Sequence, residues 1–172
     1  MKFIETLKDI IEEVYPVFKR MSSAQFSEKP SEEKWSPKEI LGHLVDSAFN
    51  NHRRLILAES QDNLLFDGYD QDQWVKRNNY QNRSKSDILE MWRISNLHFG
   101  EAANSLSKEK LNAKTTVHSY FGWSMIPFEE GKEESIKYLI ADYVYHTEHH
   151  LIQILPDYKR RVGYDNNGYV IN

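Results

Sequence analysis

Apolar residues recur at helical spacing through four long stretches of this chain, and little of it alternates with the two-residue period of a half-buried strand. The first stretch spans about Lys2 to Met21 and places Phe3, Leu7, Ile10, Ile11, Val14 and Phe18 on one face. Pro16 is expected to kink or interrupt it, because proline lacks an N–H and crowds the preceding turn. The second runs from Ser36 to about Ser60, with Ser36 as cap, Pro37 at the first helical position and Glu39 completing a capping box. A third begins after Ser84 or Ser86 and carries Ile88, Met91, Trp92, Phe99 and Ala102 toward Leu106, the small Ser95 filling the intervening stripe position. The fourth starts near Glu133 and stops before Pro156. Each stripe must be buried against another, so the pattern predicts an all-α, up-and-down style four-helix bundle with long inter-helix connections.

The 172 residues are read as a single domain, 1–172, long enough to bury a sizeable core. Gln61 to Arg83 and Ser107 to Lys132 exceed what a helix hairpin needs, so at least one is expected to be functional or to cross the bundle. These connections hold Phe66, Tyr69 and Trp74, then His118, Tyr120, Phe121, Trp123 and Phe128. Such aromatics either roof a pocket or plug the end of a bundle. The segment Val117 to Met125 is a candidate short strand.

Charge and composition remove several functions. Twenty-two basic and 26 acidic residues are mixed throughout, giving a net charge of -4 and no basic stripe, so nucleic acid is not an expected partner. No apolar run approaches the roughly 18 residues that cross a bilayer, and no signal-peptide core is found, so no membrane role and a cytoplasmic location are expected. The absence of cysteine excludes a thiolate nucleophile, an Fe–S cluster and Cys-ligated zinc. Any sulfur nucleophile must arrive with a substrate.

Three of the seven histidines fall within His146-Thr147-Glu148-His149-His150, inside the fourth helical stretch. At roughly 100° per residue, Ile136, Leu139, Ile140, Tyr143, Leu151 and Ile154 define its apolar stripe. His150 lies within that stripe, His146 one turn earlier at its edge, and His149 farthest toward solvent. The inward pair, four residues apart, has Cβ atoms roughly 6 Å apart, so both rings can reach one ion. Alternatively, they are polar residues at the margin of a core helix. HExxH is absent, and the helix angle of Glu148 opposes an inward role as base. A further ligand is sought among His43, His52, His98 and His118, of which His43 is the strongest candidate. On the second helix Ile40, Leu44, Ala48 and Leu55 form the buried stripe, while His43, Ser47 and Arg54 run along one flank. That flank borders either a pocket or water.

A resemblance covers nearly the whole chain. The order Trp35-Ser36, Glu39-Ile40-Leu41, Gly42-His43-Leu44-Val45-Asp46-Ser47 with Asn50 and Arg53, Tyr69-Asp70 with Trp74, and His146 to His150 with Ile152-Gln153-Ile154 resembles the DinB-like superfamily. Within it the chain is most similar to the YfiT-type branch of metal-dependent hydrolases and bacillithiol transferases. The resemblance implies a four-helix bundle, often a homodimer, with a divalent metal held by His43, His146 and His150. The chain departs from the branch at Gly42, where a second histidine is common, at Glu33-Lys34, where a glycine pair is common, and at His118-Ser119, where a His-Pro pair is common.

An ion with three neutral nitrogens and vacant positions keeps its full charge and lowers the pKa of a bound water or thiol toward neutrality. Thiol transfer and hydrolysis both use that ability, and the resemblance favours the first: transfer of a low-molecular-weight thiol to a small-molecule electrophile, the metal activating the thiol. The alternatives are a hydrolase using a metal-bound hydroxide and a non-catalytic metal-binding stress-response protein. Imidazole accepts Zn, Ni, Mn or Fe, so the ligands do not select among them. Asp46, Ser47, Arg53 (or Arg54) and Trp74 are candidates for orienting substrate or supporting the ligands.

Overall fold

The computed structural model describes residues 1–126, 128–166 and 168–172. Its helices are α1 (Lys2–Arg20), α2 (Ser23–Ser27), α3 (Pro37–Ser60), α4 (Gln71–Asn78), α5 (Lys85–Ser105), α6 (Lys108–Asn112) and α7 (Ile136–Ile154). The short strands β1 (Lys114–Thr115) and β2 (Glu134–Ser135) pair antiparallel before α7, and β3 (Val162–Asp165) and β4 (Gly168–Ile171) form a C-terminal antiparallel pair. The four long helices α1, α3, α5 and α7 make the expected bundle. Neither strand pair was legible, because four residues or fewer give no periodicity to read.

Local chemistry sets the helix boundaries. Ser36 accepts from the Glu39 N–H and the Glu39 side chain accepts from the Ser36 N–H, the reciprocal box that starts α3. Ser84 caps α5 by accepting from the Asp87 N–H. Pro16 does not interrupt α1. Pro16 and Glu12 are both exposed, so the missing helical bond falls on the solvent side of the helix, and the buried run through Val14 and Phe18 continues.

Packing order departs from a simple meander. α1 packs on α5 and α7, and α3 packs on the same two helices. The diagonals are therefore α1 with α3 and α5 with α7, and residues 21–36 and 106–135 cross the bundle while 61–84 joins neighbours. Phe18 anchors one seam with its ring centroid 5.8 Å from Trp92 and 5.9 Å from Phe26. At the centre the Tyr143 hydroxyl donates to Asn96 Oδ1 at 2.6 Å, so a buried polar pair spans the α5–α7 diagonal without an orphaned group.

The long connections hold each other in place. Leu64 N donates to Val117 O and Ser119 N to Leu64 O, a parallel bridge in which only His118 of the expected strand takes part; Tyr120–Gly122 is a 3-10 turn. Tyr120 is fully buried, stacks on His118 and Tyr138, and donates to Ser135 O. It plugs the bundle end, whereas Trp123 lines a cavity.

Gly42 has a packing reason. A Cβ at this position would lie 2.2 Å from the Tyr80 ring, and that ring is buried with its hydroxyl donating to Asp46 Oδ1 at 2.7 Å. Tyr80 is thus pressed onto the bare backbone at Gly42. Gly42→Ala should lower stability in urea denaturation by about 1–3 kcal/mol despite its better helix propensity. The same change in a Tyr80→Ala background should be neutral or stabilising, because the overlap is gone.

Candidate metal centre

His43 comes from the second turn of α3, and His146 and His150 from the later half of α7. Their ligand nitrogens all lie within 4.8 Å of one another, and they are the only group of this kind among the described residues. His43 Nε2 and His146 Nε2 are 3.1 Å apart. Two nitrogens bound about 2.1 Å from one ion stand about 3–3.4 Å apart, so this spacing suits adjacent ligands. The ring centroids form a tight triangle of 5.1, 4.7 and 4.6 Å for the pairs 43–146, 43–150 and 146–150.

Burial keeps the rings neutral, the state a ligand requires. Desolvation, then the neighbouring His150, pushes His43 down to about 3. Desolvation lowers His150 to about 4, partly opposed by Gln153, and holds His146 well below its ordinary value. The His150 Nδ1 is 3.0 Å from Gln153 Oε1, which fixes the ring so that its Nε2 lone pair is free for the cluster. The Nδ1 atoms of His43 and His146 are buried with no partner among the described residues. Three neutral imidazoles with facing nitrogens and few partners of their own fit a divalent cation.

Trp35 covers one side, its ring 5.1 Å from His43 and 6.4 Å from His150. A cavity of about 260 Å³ opens beside His43 and His146, running past Ser47, Asn51 and Arg54 of α3 and Asp142 of α7, with Tyr69 and Trp123 from the connections. A second cavity of about 870 Å³, bordered by Trp35, Ile40, His150 and Ile154, lies on the His150 side, and Gln71 borders both.

Other candidates are placed as follows. Ser47 lines the first cavity. Asp46 is buried but holds Tyr80 and Asn78 through Oδ1, leaving Oδ2 without a partner. Burial raises its pKa against those two hydrogen bonds. Trp74 lies outside the cavity lining, 38% exposed, and reaches it only by packing on Tyr69. Arg53 points to solvent, and its neighbour Arg54 is the inward arginine, because one residue on a helix turns the side chain by roughly 100°. His52 and His98 stack on each other at 4.3 Å, His118 bonds Lys132 O, and His149 bonds Gln153, so none joins the cluster.

Glu148 requires a correction. It is completely buried, yet its carboxylate accepts from Tyr158 Oη and Arg161 N through Oε1 and from Val162 N through Oε2. The C-terminal strand pair covers a second side of α7, which the apolar stripe did not reveal. Glu148 anchors that segment and its oxygens are already engaged.

Sequence reasoning missed Asn51 and Asp142. Both were reachable by extending the ligand faces one turn, since Asn51 is four residues after Ser47 and Asp142 four before His146. Desolvation raises the Asp142 carboxyl to about 6, opposed by the Tyr169 hydroxyl, the Met125 N–H and Arg54. Met125 carries no such signal, because a connection has no period, whereas Trp123 was among the connection aromatics expected either to roof a pocket or to plug the bundle end, and it lines the cavity.

Fold and site together define a helical bundle with a three-histidine cluster between two of its helices. The chain belongs to the DinB superfamily, whose family model matches residues 6–154. It is 27% identical over 123 residues to a Halalkalibacterium halodurans protein named "Putative metal-dependent hydrolase BH0277". That match covers 72% of this chain and 65% of the relative, so the chain spans just under two thirds of that relative's length. In structure it is similar to YfiT from Bacillus subtilis, described as "a probable metal-dependent hydrolase with an unusual four-helix bundle topology". The TM-score is 0.71 at 16% identity, over 90% of this chain and 83% of that one.

Two measurements check this section. Elemental analysis after equilibration with a divalent metal should find about one ion per chain in wild type and in His149→Ala, and little in His43→Ala, His146→Ala or His150→Ala. Retention by His146→Ala with loss by His149→Ala would reverse the assignment. Glu148→Gln should lower stability by about 2–3 kcal/mol in chemical denaturation while metal content holds, because an amide cannot accept all three donors.

Proposed function

We propose that this chain is a metal-dependent enzyme acting on small molecules, with His43, His146 and His150 holding the ion, and that it transfers a low-molecular-weight thiol to an electrophile. The supporting observation is that two cavities border the cluster, one on the His43 and His146 side and one on the His150 side. Two substrates can thus approach the same centre from different directions. The bound cation supplies Lewis acidity, which brings a thiol or water toward deprotonation at neutral pH.

The chain's own residues do the rest. Trp35 packs over the His43 and His150 rings and forms part of the wall through which the second cavity reaches the cluster. Gln153 holds the His150 ring in orientation. Asp142 is the carboxyl of the first cavity among the described residues, and with a pKa raised to about 6 it is suited to take the proton that the thiol sheds. The sulfur then bonds to the electrophilic carbon as the leaving group departs with the bonding pair.

A hydrolase is the second reading, favoured by the names of BH0277 and YfiT. In that case water replaces the thiol and Asp142 takes its proton. Subunit association as a homodimer and action inside the cytoplasm accompany either reading as proposals.

Metal-loaded protein should conjugate a chromogenic aryl halide with one or more thiols from a low-molecular-weight panel, and Asp142→Asn should slow this by about 10²-fold with metal content intact. Thiol-independent cleavage of nitrophenyl esters, with the same dependence on metal, would establish the hydrolase instead. Absence of both activities in fully loaded protein would leave a non-catalytic metal-binding role.

A further inference from the structure

Arg54 is 5% exposed and borders the same cavity as His43 and His146. It makes no ion pair among the described residues. Its Nη1 donates to Asn51 Oδ1 at 3.2 Å and its Nη2 to the Asp67 carbonyl at 2.8 Å, both uncharged acceptors. Each terminal nitrogen carries two hydrogens, so one N–H on each has no partner in those bonds. The Trp123 ring lies 4.0 Å from the guanidinium carbon and fixes the plane of the fork. Asp142, the carboxylate nearest in role, spends Oδ1 on the Met125 N–H and the Tyr169 hydroxyl.

Asp142 is the nearby carboxylate but makes no direct ion pair with Arg54, and a buried guanidinium hydrogen-bonded only to neutral acceptors gains once an anion enters the cavity and meets its free N–H groups. The planar fork matches the two oxygens of a carboxylate better than a neutral amide or hydroxyl. We propose that Arg54, held in place by Asn51, forms an anion subsite, so that the molecule activated at the three-histidine centre carries a carboxylate, which Arg54 receives while its reactive end faces the histidines. The inference rests on the proposed metal centre for that second anchor. It narrows the thiol to a carboxylate-bearing one in the first reading, and the ester or amide to an acidic one in the second.

The test uses cobalt-loaded full-length protein and two thiols of equal length, 3-mercaptopropionate and 3-mercaptopropionamide, titrated by the thiolate-to-cobalt absorption band. Wild type should prefer the acid by about tenfold or more, and Arg54→Gln should bind both with the affinity of the amide, with metal content unchanged. No preference in wild type would overturn the subsite. So would a preference that survives in Arg54→Gln, since the carboxylate would then be chelating the metal.

A second measurement needs neither the variant nor the thiol band. In ¹⁵N spectra of the metal-free wild-type protein, the Trp123 indole N–H should shift saturably with acetate and not with acetamide. An unmoved resonance would overturn the inference even if Arg54→Gln fails to fold. If cobalt binds but neither thiol yields the band, the thiol reading of the centre fails, and the Trp123 response still decides the anion subsite.

Discussion

The site depends on α3 and α7 lying side by side with their polar faces turned toward each other. His43, early in α3, meets His146 and His150, late in α7, and the two helices therefore run antiparallel. The resulting 3.1 Å approach of two Nε2 atoms suits two arrangements: one neutral ring donating its Nε2–H to the other, or both lone pairs turned to one cation. Burial keeps both rings neutral, so each retains a lone pair that a cation can take up without either ring being charged.

Along the same seam α3 presents Ser47, Asn51 and Arg54, and α7 presents Asp142. These would be expensive in an ordinary bundle core, and they are tolerated because most have local partners: Asn51 bonds Ser47 and Arg54, Arg54 bonds the Asp67 carbonyl, and Asp142 bonds Met125 and Tyr169. The surrounding packing is otherwise apolar and aromatic. The 61–84 connection brings in the Asp67 carbonyl, the crossing 106–135 connection brings in Met125, and the C-terminal strand pair brings in Tyr169. Diagonal crossing thus has a role beyond topology: it carries Trp123 and Met125 to the cavity wall, while the strand pair carries Tyr169 to Asp142 and is itself tied down by Glu148.

Helix positions were legible where propensity and pattern agree. Ser36, Pro37 and Glu39 begin α3 as their chemistry dictates, and Ser84 begins α5. Pro16 does not interrupt α1; of its two expected effects, interruption is the one that depends on whether the proline falls on the exposed or the buried side, and that follows from packing. The inward pair on α7 followed from angle alone, and His149 was excluded by the same angle. The flank of α3 remained ambiguous because a helix edge looks alike whether it borders a cavity or water. Glu148 was read from one apolar stripe, and a helix covered on two sides has two buried faces.

The sequence by itself determined four amphipathic helices, their caps and the two histidines that share a turn of α7, because these depend on neighbours within a few residues along one helix. Only the tertiary structure decided that α3 stands against α7, that Arg54 rather than Arg53 enters the cavity, that Tyr80 occupies the space over Gly42, and that the C-terminal strands close over Glu148. Those outcomes join residues tens of positions apart, and the order in which four similar stripes pack is set by the whole core and by connections that carry no period of their own.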